Sequence, residues 1–162
     1  MKKITFILLV SLISGTAFAQ SSAEGTATVN AEIVSPIEIN DGTDLDFGRI
    51  IGSSAGGSVT VSTDGDRTAT TNDLLAPSTT VQAASFTVKA AEAYKYSITI
   101  PGIGLTGAGD DMPVTFESSL GNENVVGTGA DQTLTVGGAL TVNALQAEGE
   151  YSGTVTVTVA YE

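Results

Sequence analysis

Residues 154–161 read TVTVTVAY, so Val155, Val157, Val159 and Tyr161 alternate with Thr154, Thr156, Thr158 and Ala160. A period of two puts the large apolar side chains on one face of a strand and the small ones on the other. β-Branched residues at most of these positions favour a pleated, half-buried surface over a helix. A strand with one apolar face needs neighbours to pair with and a core to lie against. The chain must therefore build a sheet around this run.

The same period recurs upstream, punctuated by Gly, Asp, Asn and Pro. Thr26 to Val34 places Ala27, Val29, Ala31 and Ile33 on one face; Ser35-Pro36 breaks the run, and Ile37 and Ile39 resume it. Strands are expected at Asp44–Ile50 (Leu45 and Phe47 in phase), Ser58–Ser62, Ser85–Lys89 (Phe86, Val88) and Tyr94–Ile100 (Tyr94, Tyr96, Ile98, Ile100). Further strands are expected at Met112–Phe116, Thr133–Val136 and Ala139–Val142, the last two flanking Gly137-Gly138. Residues 66–80 are polar and read as a connection between sheets with room for one helical turn. Beyond the amino-terminal leader no apolar pattern of helical period persists over three turns. About nine short strands without helices predict an antiparallel, immunoglobulin-like β-sandwich.

MKKITFILLVSLISGTAFA has two lysines, an apolar run from Ile4 to Ile13 and a small-x-small site at Ala17-Phe18-Ala19. It reads as a secretory signal peptide at residues 1–19, followed by an amino-terminal β-segment at 20–35 and a sandwich domain at 36–162. Its apolar run is too short for a spanning helix, and no later segment would serve as one. The expected location is the periplasm in transit, then the bacterial surface or the medium. Without Lys2 and Lys3 the formal charge of −12 becomes −14. So acidic a chain repels nucleic acid and anionic headgroups, and neither is an expected partner.

The chain has no histidine, cysteine or tryptophan. Ser-His-Asp and Cys-His catalysis, His-ligated zinc and disulfide reinforcement are thereby excluded. Asp41-Gly42-Thr43-Asp44-Leu45-Asp46, Asp64-Gly65-Asp66 and Asp110-Asp111 offer oxygen ligands, but none has the spacing of a calcium-binding helix–loop–helix. Tight turns use the same residues for backbone reasons, so no metal or other cofactor is expected. Paired carboxylates for glycoside hydrolysis would want aromatic sugar platforms, and four tyrosines are few for that. The expected protein is not an enzyme and has no small-molecule substrate. Tyr94 and Tyr96 share a face with Ile98, and Tyr151, just after Gly149, suits a tyrosine corner. The alternating Thr26–Ile33 segment suits either a first strand of its own domain or a strand added to a neighbour's groove.

Three stretches, TATVNAEIVSPIEI, LDFGRIIGSSAGGSVTVSTDGDRT and GEYSGTVTVTVAYE, together with YKYSITIPG and LTVGGALTVNALQ, resemble the bacterial secreted family numbered 4402 among domains of unknown function. More distantly, the amino-terminal alternating segment, the Leu-x-Phe-Gly strand and the ending Gly149, Tyr151, Val155, Val157, Val159, Tyr161 look like archaic chaperone–usher, spore-coat-U-like pilins. That resemblance implies a sandwich lacking one strand, completed first by a periplasmic chaperone at an outer-membrane usher and then by the next subunit. On this reading Ala27, Val29, Ala31 and Ile33 form the donor strand. The acceptor groove is lined by Tyr151, Val155, Val157, Val159, Tyr161, Phe47, Phe86 and Ile98, and the protein is an adhesive, fimbria-like surface subunit that self-associates into a filament. Two departures are a missing cysteine pair near Ser35-Pro36 and an alternating segment that starts about six residues after the expected cleavage site. The alternative is a monomeric secreted sandwich that binds a surface glycan or protein through its loops. A third reading is self-association through exposed edges, for which TVTVTVAY has the propensity.

Overall fold

A computed structural model describes residues 22–162. The chain divides into two units between Glu32 and Ile33, and the second, Ile33–Glu162, carries every strand described below. It is all-β and antiparallel: β1 (Glu38–Thr43), β2 (Gly57–Val61), β3 (Arg67–Ala69), β4 (Ala84–Lys89), β5 (Lys95–Thr99), β6 (Ile103–Leu105), β7 (Met112–Ser118), β8 (Val125–Val126), β9 (Asp131–Val142) and β10 (Thr158–Tyr161). A single 3-10 turn, Asn72–Leu74, lies in the connection after β3 and buries Leu74. The larger sheet runs β1-β4-β9-β2-β3, with β7 and β6 joined to β9, and the smaller is β10-β5-β8.

The long strand β9 organises the sandwich. Its first half pairs β4 (Ala84↔Val136 to Lys89↔Asp131), and its second half pairs β2 (Gly57↔Val142 to Val61↔Gly138). Val136 to Leu140 also pair β7, so β7 occupies the edge opposite β4 and β2. Gly137 and Gly138, expected to separate two strands, instead lie inside one. A Cβ at Gly137 would stand 2.5 Å from the Val61 carbonyl oxygen, and one at Gly138 3.1 Å from the Phe47 ring. Glycine is what lets β2 and the Phe47 segment approach β9 this closely.

Two apolar clusters fill the interior. One gathers Phe47, Val59, Val61, Leu74, Met112, Val114, Leu140 and Val142; the other gathers Ala84, Val88, Ala90, Tyr96, Ile98, Val125, Leu134 and Val136. Strands alternate in-out as the period of two requires, for instance Met112 and Val114 buried with Pro113 and Thr115 exposed.

Three expected strands differ. Thr26–Val34 lies outside every ladder, because the place of a first strand is taken by β1 after Pro36. Asp44–Ile50 contributes only isolated bridges, Asp46↔Gln82 and Ile50↔Leu75, because the chain turns at Gly48 (φ 69°). The final strand pairs only from Thr158, not from Thr154.

The Gly48 turn is clamped. Arg67 donates from Nη1 to the carbonyls of Phe47 and Arg49 (both 3.1 Å) and from Nη2 to that of Ala76 (2.8 Å). Arg49 N–H donates to Thr79 Oγ1 (2.9 Å), and a Cβ at Gly48 would stand 2.8 Å from the Thr79 hydroxyl. One guanidinium thus satisfies carbonyls of two loop segments that no ladder reaches. Arg67→Ala should cost about 2–3 kcal/mol, and Arg67→Lys should recover only part of it, because an ammonium lacks the planar fork. Urea unfolding of the two variants checks both values.

Tyr96 is fully buried, and its hydroxyl has no hydrogen-bond partner among the described residues. Burial raises its pKa above the ordinary 10.0. The folded value lies above the unfolded one, so stability is unaffected below that unfolded value and falls as pH rises past it. Tyr96→Phe should remove this alkaline loss and leave stability near neutral pH equal or raised by about 1 kcal/mol. Urea midpoints from about pH 9 to 11 for both proteins measure the difference.

Candidate functional site: an open strand edge

The carboxyl-terminal run changes sheets as it crosses the sandwich. Ser152 bridges Thr106 through reciprocal backbone bonds of 2.9 and 3.0 Å, beside β6. Six residues on, Thr158 enters the other sheet, pairing Thr99 of β5, and the ladder continues to Tyr161↔Tyr96. Between them, residues 153–157 belong to no ladder, although Val155 and Val157 are half-buried. Backbone that joins no ladder among the described residues, beside partly covered apolar side chains, presents a template for another strand.

The opening extends along β10. This strand has β5 on one side and no strand on the other among the described residues. β1 likewise ends its sheet. Ile37 and Ile39 from the β1 side and Val157, Val159 and Tyr161 from the β10 side all pack, half-buried, on the cluster around Tyr96 and Ile98. Two free edges from different sheets thus flank one core region.

The end of β10 is fixed firmly. Tyr161 hydroxyl donates to the Ser35 carbonyl (3.0 Å) and accepts from Ala91 N–H (2.7 Å), and its ring meets Tyr94 edge-on at 6.0 Å. Glu162 N–H donates to the Lys95 carbonyl (3.1 Å), and a Glu162 carboxylate oxygen accepts from Asn124 N–H (2.7 Å). Tyr161 therefore also anchors the point at which the chain enters the sandwich.

The amino-terminal segment has the opposite character. Residues 22–36 are exposed and form no strand, Val29 at 91% and Ile33 at 98%. Its alternation of Ala27, Val29, Ala31 and Ile33 joins no ladder among the described residues.

The expected acceptor residues divide between the two clusters, except Val155, which belongs to neither. Phe86, Ile98, Val157, Val159 and Tyr161 meet on one core, whereas Phe47 and Tyr151 pack in the other. Tyr151 hydroxyl donates to the Ala147 carbonyl four residues upstream (2.9 Å), the bond of a tyrosine corner, and accepts from Gln146 Nε2 (2.9 Å). Ile37 and Ile39 were not anticipated as the second lip; their alternation directly after Pro36 was the available signal. The aspartate turns serve the backbone: Asp46 Oδ1 accepts from Gly48 N–H (2.7 Å), and Asp110 and Asp111 carbonyls accept from Gln146 (2.6 Å) and Asn143 (3.1 Å). Among the described residues no three acidic side chains gather as a metal site.

No curated protein and no solved structure matches the chain. A family model does, over residues 37–161, which begins at Ile37 on the lip of the opening and ends with Tyr161, the anchor of β10. The chain belongs to the family described as domain of unknown function DUF4402.

Proposed function

We propose that this protein is a non-enzymatic, pilin-like structural subunit of the bacterial surface that assembles by strand donation. The segment carrying Ala27, Val29, Ala31 and Ile33 of one copy adds to the open edge of the next, along 153–157 and β10. The observation that carries this reading is the pairing of two deficits: a ladder gap beside half-buried valines, and an exposed alternating segment that joins no ladder among the described residues. Main-chain bonds would supply affinity and alternate side chains specificity, as in strand addition generally.

The magnitudes favour it. Each fully buried Val or Ile contributes about 1.5–3 kcal/mol, and each new backbone hydrogen bond about 1 kcal/mol. Release would require opening the sandwich, so exchange would be slow once made. A periplasmic chaperone and an outer-membrane usher are the partners such a subunit would need before donation, since the open edge would otherwise aggregate.

Surface extracts run on SDS gels without boiling should show a ladder of multiples that collapses to one band on boiling. A monomer band in both lanes would sink the proposal. Deleting Ala23–Ile33 should abolish the ladder while leaving a folded, chaperone-stabilised domain. Val29→Asp should do the same by placing a charge in the docked strand, with thermal unfolding of the isolated chain changed by less than about 0.5 kcal/mol because residue 29 is exposed there.

A further inference from the structure

Oxidants have few places to act on this chain. It has no cysteine, tryptophan or histidine, and Met112, the one methionine of the described residues, is only 6% exposed. Cysteine and methionine, the side chains most often oxidised, are thus missing or covered. Tyrosine is left, and the four tyrosines differ in access. Tyr96 is fully buried, and Tyr151 is half-buried with its hydroxyl bonded to the Ala147 carbonyl and to Gln146. Tyr94 is the most open of the four at 37%, and its ring meets that of Tyr161 at 6.0 Å and 64°.

Both rings stand on fixed backbone. Ala93 (φ 65°) donates its N–H to the Gly127 carbonyl (2.9 Å), and the Tyr94 carbonyl accepts from Gly127 N–H (2.8 Å). Tyr161 pairs with Tyr96 in the β10 ladder and is held through its hydroxyl by Ser35 and Ala91. Backbone held in this way keeps the two phenols together without further loss of freedom. The edge-on contact already sets ring carbons of one tyrosine against the other.

We propose that Tyr94 and Tyr161 form an oxidative cross-linking site. A haem peroxidase, as the one-electron oxidant, removes one electron and one proton from each phenol. The radical spin spreads to the ring carbons beside the oxygen, and two such carbons join. Their hydrogens move to the oxygens and restore both phenols, while one hydrogen peroxide takes up the two electrons and two protons and becomes two waters. The product is a carbon–carbon bond between the β4–β5 turn and the end of β10. It closes a loop from residue 94 to residue 161 in a chain without cysteine, and restricts the unfolded chain as a disulfide would. The site lies at the anchored end of β10 and does not depend on strand donation.

Full-length protein is treated with a haem peroxidase and hydrogen peroxide, beside Tyr94→Phe and Tyr151→Phe. The expected product is a monomer lighter by two hydrogens, with dityrosine fluorescence and a cross-linked peptide joining Tyr94 to Tyr161. Its urea midpoint should lie above that of the untreated chain. Tyr94→Phe should lose every one of these changes and Tyr151→Phe none. Circular dichroism before treatment checks that both variants fold, as expected for removal of a hydroxyl alone. Covalent dimers as the main product would mean that coupling joins separate molecules and would overturn the proposal. Undiminished fluorescence in Tyr94→Phe, or oxygen added at Met112 in place of coupling, would overturn it as well.

Discussion

Everything in this sandwich hangs on β9 being able to carry three ladders at once. A strand has two edges, so β4 and β2 must share one end to end while β7 takes the other. That arrangement brings the β2 end and the Phe47 ring to the middle of β9, where side chains at residues 137 and 138 would collide with them. The two glycines accept the entropic cost of flexibility in a strand interior because the alternative is a sheet that cannot curl. Once the larger sheet is curled in this way, its first strand and the smaller sheet's β10 are the two edges that flank the cluster around Tyr96 and Ile98.

Those two edges are not equally protected. β1 has a register irregularity between Asp41 and Thr43 and carries the exposed Glu38, both common means of discouraging edge pairing. The TVTVTVAY run has no charge, no proline and no bulge. It also leaves its sheet partway, so residues 153–157 lack a ladder while Val155 and Val157 remain half-covered. In a chain this acidic, a charge on the edge was chemically easy to supply. Its absence fits an edge meant for pairing, and the same lack of protection would explain a need for a chaperone before pairing.

Much of this was legible from period alone. β2, β4, β5, β7 and the two halves of β9 follow from alternation bounded by turn residues, and the helical turn after β3 from its polar surroundings. β3, β6 and β8 span three residues or fewer, too short for any periodicity to register. The grouping of Ile98, Val159 and Tyr161 was readable because they alternate in phase within the paired strands β5 and β10. Tyr151 keeps that phase yet lies in the other cluster, because the strand changes sheets between Ser152 and Thr158, which no local pattern records. The Arg67 clamp was equally hidden, since its three carbonyls come from segments that only the fold brings together.

Stability without disulfides then has a physical account. Cross-links, where a small domain has them, add several kcal/mol by restricting its unfolded chain. Here one guanidinium replaces a cross-link over the Phe47–Ala76 crossing, and the Tyr161 hydroxyl ties Ser35 to Ala91 across the sequence. Both devices hold loops and termini and leave the open edge as it is. A strand donated to that edge would act where they do not. It would fill the missing ladder, bury the half-exposed valines and turn marginal thermodynamic stability into a slow unfolding rate. The weakest part of the isolated domain would thereby become the part that limits its disassembly.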